Sequence, residues 1–155
     1  MNELKVQVLE GGYTPTRAHG TDAGLDLYAA AGEVFYGTPI GMTMRVPLGV
    51  KVAIPDGHVG LLLPRSSLLL KKGVVGMTGV IDAGYRGELI ALMHASASRG
   101  AVVERGDKIY QLVVLPIATP TVVEVDELEE TPRGEDGFGS TGLDYLDDIH
   151  RKETK

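Results

Sequence analysis

The sequence predicts an all-β fold, a sandwich or barrel, and three observations predict it. Apolar side chains recur at every second position over short stretches, the period of a strand with one buried face. Turn formers separate those stretches at short intervals, with 21 Gly and 8 Pro spread through 155 residues. Only one segment, just after Pro64, carries helix start and stop signals.

Leu48, Val50, Val52 and Ile54 alternate with Gly49, Lys51 and Ala53, which makes a half-buried strand. Pro55-Asp56-Gly57 turns the chain, and Val59, Leu61 and Leu63 repeat the alternation. Ser66 or Ser67 can cap a short helix, Leu68 to Lys72 form its body, and Gly73 ends it. Residues 79–89, GVIDAGYRGEL, read as a β-hairpin. Ile81-Asp82 leads into Ala83-Gly84, Tyr85 follows, and Arg86-Gly87 returns the chain to Leu89-Ile90-Ala91-Leu92. Ile109 to Ile117 is a longer apolar run bounded by Pro116 and Pro120, with Val122-Val123-Glu124-Val125 after it. From about Asp126 the composition turns acidic, then glycine-rich, then charged. Residues 1–126 are therefore expected to form one folded core and 127–155 a mobile tail.

Composition narrows the function. With 43% hydrophobic and 23% charged residues, the chain has the makings of a folded interior. The absence of cysteine removes disulfides, thiolate catalysis and Cys-based zinc sites together. His19, His58, His94 and His150 are scattered without metal-ligand spacing. No apolar run approaches membrane-spanning length, and Met1 to Glu10 lack a signal-peptide pattern. A cytoplasmic protein, or one of a host's cytoplasm if viral, is the expectation. A net charge of −6 argues against direct nucleic-acid binding but not against a small polyanion met by locally concentrated cations.

Four segments can carry chemistry. The turn at 79–89 puts the Asp82 carboxylate and the Tyr85 ring side by side, either facing a ligand or simply making the turn. Pro64-Arg65-Ser66-Ser67 brings a guanidinium and two hydroxyls to a helix start, which suits phosphate oxygens or a plain cap equally. Arg105-Gly106-Asp107 makes a polar turn, from which Lys108 and Gln111 can reach a ligand. The tail segment Arg133 to Gly142 frames Phe138, one of two phenylalanines in the chain, with glycines. An aromatic in a polar tail gains most by stacking on a base, worth ~1–3 kcal/mol. Arg133 and the glycine N–H groups suit a terminal phosphate. Ordering such a tail costs entropy, so it is expected to close only on ligand.

In this order the motifs resemble the trimeric dUTP pyrophosphatases (dUTPases), over nearly the whole chain. The matching segments are Ala23-Gly24-Leu25-Asp26-Leu27, Pro64-Arg65-Ser66-Ser67, Gly79 through Gly87, Gly106-Asp107-Lys108-Ile109-Tyr110-Gln111, and Arg133 through Gly142. The resemblance implies a jelly-roll-like distorted β-barrel, assembled as a homotrimer with three shared active sites. It implies hydrolysis of dUTP to dUMP and pyrophosphate, which limits uracil in DNA and supplies dUMP for dTMP synthesis.

It also implies roles. Asp82 would orient and deprotonate the water that attacks the α-phosphorus in line. Arg65, Ser66 and Arg133 would offset charge on the transferring and leaving phosphates, and Ser67, Lys108 and Gln111 would also bind substrate. The backbone at Gly79, Val80 and Ile81 would read the uracil edge, and Tyr85 would pack on the deoxyribose and leave no room for a 2′-hydroxyl. Phe138, Gly139 and Ser140 would close over the substrate in a lid formed by residues 133–142. Asp26 would support the site. Mg²⁺ would be held through the triphosphate and water, with no direct protein ligand.

The chain departs from the family pattern in four places. Ser67 stands where Gly is frequent, Gly76 where many bacterial members carry Asn, and Lys108 where Arg is usual; residues 31–45 match poorly. The related dCTP deaminases share the Arg-Ser-Ser and Ile-Asp elements. They need a glutamate on the strand after the turn, where this chain has Leu92, with Glu88 too near the turn. Some viral members also bind partner proteins, and 31–45 or 143–155 would be the segments to do so.

Overall fold

Nine short strands and one helix lie among residues 3–30, 43–95 and 102–135, which the computed structural model describes, and buried positions alternate with more exposed ones most plainly over Thr43–Pro47 and Val50–Ala53. In chain order they are β1 (Lys5–Val8), β2 (Leu25–Tyr28), β3 (Thr43–Pro47), β4 (Val50–Ala53), β5 (His58–Pro64), α1 (Ser66–Lys72), β6 (Val74–Gly76), β7 (Gly79–Ile81), β8 (Ile90–Ala95) and β9 (Lys108–Pro116). All pairings are antiparallel and form three sheets, ordered β1-β4, β2-β9-β5-β7 and β3-β8-β6. The all-β class with one short helix is as expected, and the sheets stay open rather than closing into one continuous barrel.

Leu48, Val50, Val52 and Ile54 are buried together, as their alternation requires. In β5 the phase is the reverse of the expected one. Gly60 and Leu62 are buried, while Val59, Leu61 and Leu63 are only half-buried. The reason is Gly60: the side chains of Ile54, Ile81 and Leu112 close over it, within about 3.1 Å of where its Cβ would stand. A strand position without a side chain thus faces the core and hides the period.

The expected hairpin at 79–89 is a crossover instead. β7 pairs with β5, Gly60 opposite Ile81 and Leu62 opposite Gly79, whereas β8 lies in another sheet between β3 and β6. Leu89 explains the divergence. Its carbonyl accepts from the Leu48 N–H (3.0 Å) and its N–H donates to the Val50 carbonyl (2.9 Å), so the returning chain is captured elsewhere.

The helix begins one residue earlier than its serines suggest. Arg65 holds the N-cap position with extended backbone (φ −79°, ψ 141°), and no side chain caps the helix. Arg65 N–H still donates to the Ile109 carbonyl (3.0 Å), so the β5–β9 ladder runs up to the first turn and places Ser66 and Ser67 inside it. Gly73 ends the helix in the left-handed region (φ 63°) as expected, its N–H donating to Leu69.

The chain divides into two units, residues 1–119 and 120–155. In the second, described to residue 135, Val122–Val125 forms no strand and its three valines are exposed. Alternation there finds no partner strand among the described residues, and an isolated strand is not stable in water. Among the described residues no helix is long and apolar enough to cross a membrane.

Candidate active site

The sheet β2-β9-β5-β7 carries two groups of the expected site residues. At one side, β2 and β9 pair Asp26 with Gln111, and the register shifts between Leu27 and Tyr28. Asp26 is the single buried charged residue among those described, 6% exposed. Its Oδ1 contacts the Arg65 guanidinium and its Oδ2 accepts from Lys108 Nζ at 2.9 Å. A carboxylate so removed from water is tolerated only with such partners. Two cations against one anion leave a net positive charge here, and Arg65 Nε is buried without an acceptor among the described residues.

Neighbouring contacts fix this cluster. Lys108 Nζ lies 5.7 Å from the Tyr28 ring centre, and the Tyr28 hydroxyl bonds Thr16 Oγ1 at 2.5 Å. Gln111 packs its side chain against Gly24, where a Cβ would stand 2.4 Å from its Oε1. The glycine of Ala23-Gly24-Leu25-Asp26 is therefore room for Gln111. Asp107 accepts from Lys72 Nζ (2.5 Å) and from the Glu104 N–H (2.7 Å), tying the end of α1 to the turn before β9. Ser66 is exposed and Ser67 half-buried beside Arg65.

At the other side, Gly79, Val80, Ile81, Asp82 and Tyr85 line a pocket of about 250 Å³ with Leu62 as its floor. The turn is closed by the Tyr85 N–H donating to the Asp82 carbonyl (3.0 Å). Tyr85 Oη donates to the Glu88 carbonyl (3.0 Å), and a Cβ on Gly87 would stand 2.2 Å from that hydroxyl. The ring thus lies across Gly87, which explains a glycine two residues after the tyrosine. Glu88 accepts from the Gly49 N–H at 3.0 Å, so it anchors the turn. The Asp82 carboxylate is exposed and has no hydrogen-bond or ion-pair partner among the described residues.

The structure thus brings Asp26, Arg65, Lys108 and Gln111 together, and separately Gly79, Val80, Ile81, Asp82 and Tyr85. Arg133 lies in the Thr131–Gly134 turn, where Gly134 N–H donates to the Thr131 carbonyl (2.9 Å). Phe138, Gly139 and Ser140, with the lid 136–142, segment 31–42 and the end 143–155, lie outside the described residues. Among the described residues no three His, Asp or Glu side chains stand close enough to hold a metal.

Sequence reasoning missed Glu88 as an anchor and Tyr110, whose fully buried hydroxyl reaches the carbonyls of Met77 and Leu92. The available signal was a tyrosine inside an otherwise aliphatic strand core.

Comparison with known proteins gives a family match, two similar enzymes and a similar solved structure. The dUTPase family model matches residues 12–142. The deoxyuridine 5'-triphosphate nucleotidohydrolase of Mycobacterium marinum is 45% identical over 150 residues, covering 91% of this chain and 96% of that one. The enzyme of the same name from Tropheryma whipplei (strain Twist) is 40% identical over 143 residues, covering 90% and 96%. The solved Staphylococcus bacteriophage 80alpha dUTPase with dUPNHPP has a TM-score of 0.82 and 33% identity, covering 92% of this chain and all of that one.

Proposed function

The chain belongs to the dUTPase family, and on that premise we propose how it hydrolyses dUTP to dUMP and pyrophosphate. A water held by the Asp82 carboxylate attacks the α-phosphorus in line with the departing pyrophosphate. The single observation that carries this reading is the Asp82 carboxylate, exposed and without a partner among the described residues, in the pocket that Tyr85 and the Gly79–Val80 backbone share. A carboxylate with a reference pKa of about 3.9 is ionised at neutral pH. It is a modest base, so its contribution is chiefly placement of the water.

The substrate's three chemical parts meet three kinds of group. Gly79, Val80 and Ile81 offer backbone N–H and C=O groups to the uracil edge. Tyr85, tethered to Glu88 and laid across Gly87, gives the deoxyribose a flat wall that a 2′-hydroxyl would strike. Arg65, Ser66, Ser67, Lys108 and Gln111 bind phosphate oxygens, the net positive charge left by Asp26 being available to them. Lys108 contributes a point charge rather than a bidentate fork. Arg133 meets the terminal phosphate, and Phe138 with Gly139 and Ser140 closes over the base.

Magnesium would enter as a companion of the triphosphate and be held through it, while Arg65 and Lys108 meet the same phosphates. When bound, it supplies neutralisation of charge on the phosphates. The separation of the two residue groups supports a homotrimer in which one subunit supplies Arg65 and Lys108, a second the Asp82 turn and a third the tail. Pyrophosphate release from dUTP, dCTP, dTTP and UTP, together with the mass in solution, tests the reading. Turnover confined to dUTP by a trimer is expected. Ammonia release from dCTP, or binding of dUTP without turnover, would overturn it.

A further inference from the structure

Tyr110 is fully buried in β9, and its side chain reaches the place where the chain passes between sheets. β6 ends at Gly76 in one sheet and β7 begins at Gly79 in another, so Met77 and Thr78 are the whole crossover. The Tyr110 hydroxyl lies 2.6 Å from the Leu92 carbonyl oxygen and 2.9 Å from that of Met77. The Leu92 carbonyl also accepts from the Met77 N–H at 2.8 Å. One phenol proton thus serves two carbonyls, and both backbone groups of Met77 are tied at a single point.

Gly76 completes the arrangement. A Cβ there would stand 2.5 Å from the Tyr110 hydroxyl and 2.5 Å from Pro64 Cβ. Gly76 is not among the glycines with positive φ, so it is needed for room and not for its backbone freedom. The phenol occupies the volume that a side chain at 76 would fill. The two residues are a matched pair, and a change at either is felt by the other.

We propose that Tyr110, paired with Gly76, is a positioning residue for nucleobase recognition: it fixes the Met77–Thr78 crossover and so the Gly79–Val80 backbone that reads the base. The inference rests on the role given above to Gly79 and Val80. A core filler would need only the ring. A positioning residue needs the hydroxyl, because the hydroxyl makes the hydrogen bond to the Met77 carbonyl.

Tyr110→Phe separates the two, since it keeps the ring and removes one oxygen. Binding of the base is shared by the ground and transition states, so its loss is expected in KM and not in kcat. The expected result is a roughly three- to tenfold rise in KM for dUTP, the size of one hydrogen bond, with kcat within about twofold. Discrimination against dCTP and dTTP should fall by a similar factor. Gly76→Ala, which drives a methyl into the hydroxyl, should reproduce the KM rise, and in a Tyr110→Ala background its further cost should shrink to that of the contact with Pro64. It carries the test if the Phe variant does not fold. A Phe variant with a lowered Tm but wild-type KM and discrimination overturns the assignment alone. A wild-type protein inactive on dUTP overturns the activity and the assignment with it.

Discussion

The two margins of the four-stranded sheet handle charge in opposite ways. At the β2–β9 margin Asp26 is buried and shared by Arg65 and Lys108. At the β7 margin Asp82 is exposed and has no partner among the described residues, while the backbone around it is fastened by Tyr85 and Glu88. The first arrangement satisfies its charges internally and leaves a cationic surplus. The second spends its hydrogen bonds on the frame and leaves the carboxylate open. A carboxylate that must activate a water cannot be committed to a guanidinium, whereas one buried between two cations has to be. The same residue type is therefore structural at one margin and, in the proposed mechanism, reactive at the other.

Exchanging the carboxylates tests that contrast most severely. Asp82→Asn should leave thermal stability within about 0.5 kcal/mol, as for an exposed surface change. It should still bind dUTP and lower kcat by roughly a thousandfold or more, combining lost proton transfer and lost placement. Steady-state kinetics beside a melting curve measures both, and substantial turnover in the variant would remove Asp82 as the base. Asp26→Asn should show the reverse weighting. Leaving Arg65 and Lys108 without their anion costs about 1–3 kcal/mol, below the figure for a fully buried pair because both cations keep part of their surface in solvent, a drop in Tm of roughly 5 °C for a chain of this size. A variant as stable as wild type would dissolve the distinction between the margins.

The sequence showed these two margins unequally. Asp82 and Tyr85 were legible because a tight turn keeps its chemistry local, within four residues. The partners of Asp26 were not, since Arg65 and Lys108 are 39 and 82 positions away and only the sheet order brings them in. The core strand at 48–54 was legible from its alternation. The phase of β5 was not, because Gly60 faces the core without a side chain to mark it. The hairpin was misread for a related reason: β7 is three residues long, too short for its own pattern to reveal which sheet it joins. Ser66 and Ser67 look like caps locally, but the ladder to Ile109 moves the helix start back to Arg65.

The tail offers an intermediate test, since it would add to the catalytic margin without supporting the core. Deleting residues from Arg133 onward should lower kcat/KM for dUTP by about ten- to a hundredfold, the scale of losing a phosphate contact and a closing element. Tm and the number of subunits in solution should be those of the full chain. Normal activity after truncation would assign the closing role elsewhere, and loss of the assembly would show the tail to be structural after all.

The smallest effect concerns the link between the margins. Tyr110 sits two residues from Lys108 and opposite Pro64 in β9–β5 pairing, and its hydroxyl reaches the crossover that leads to Asp82. Burial pushes its pKa up to about 12 from an ordinary value near 10. Below pH ~10 the phenol is protonated in both the folded and unfolded states, so it gives no pH dependence. Between pH ~10 and pH ~12 the unfolded chain loses the proton while the folded protein keeps it, so stability falls by at most about 1.4 kcal/mol per pH unit. Above that window the slope from this group ends. Urea unfolding across the window should therefore show the advantage of wild type over Tyr110→Phe shrinking as pH rises. The contributions of Tyr13, Tyr28 and Tyr85 cancel in the difference. If the two curves run parallel, the hydroxyl is not held protonated at the crossover, and the margins are joined by packing alone.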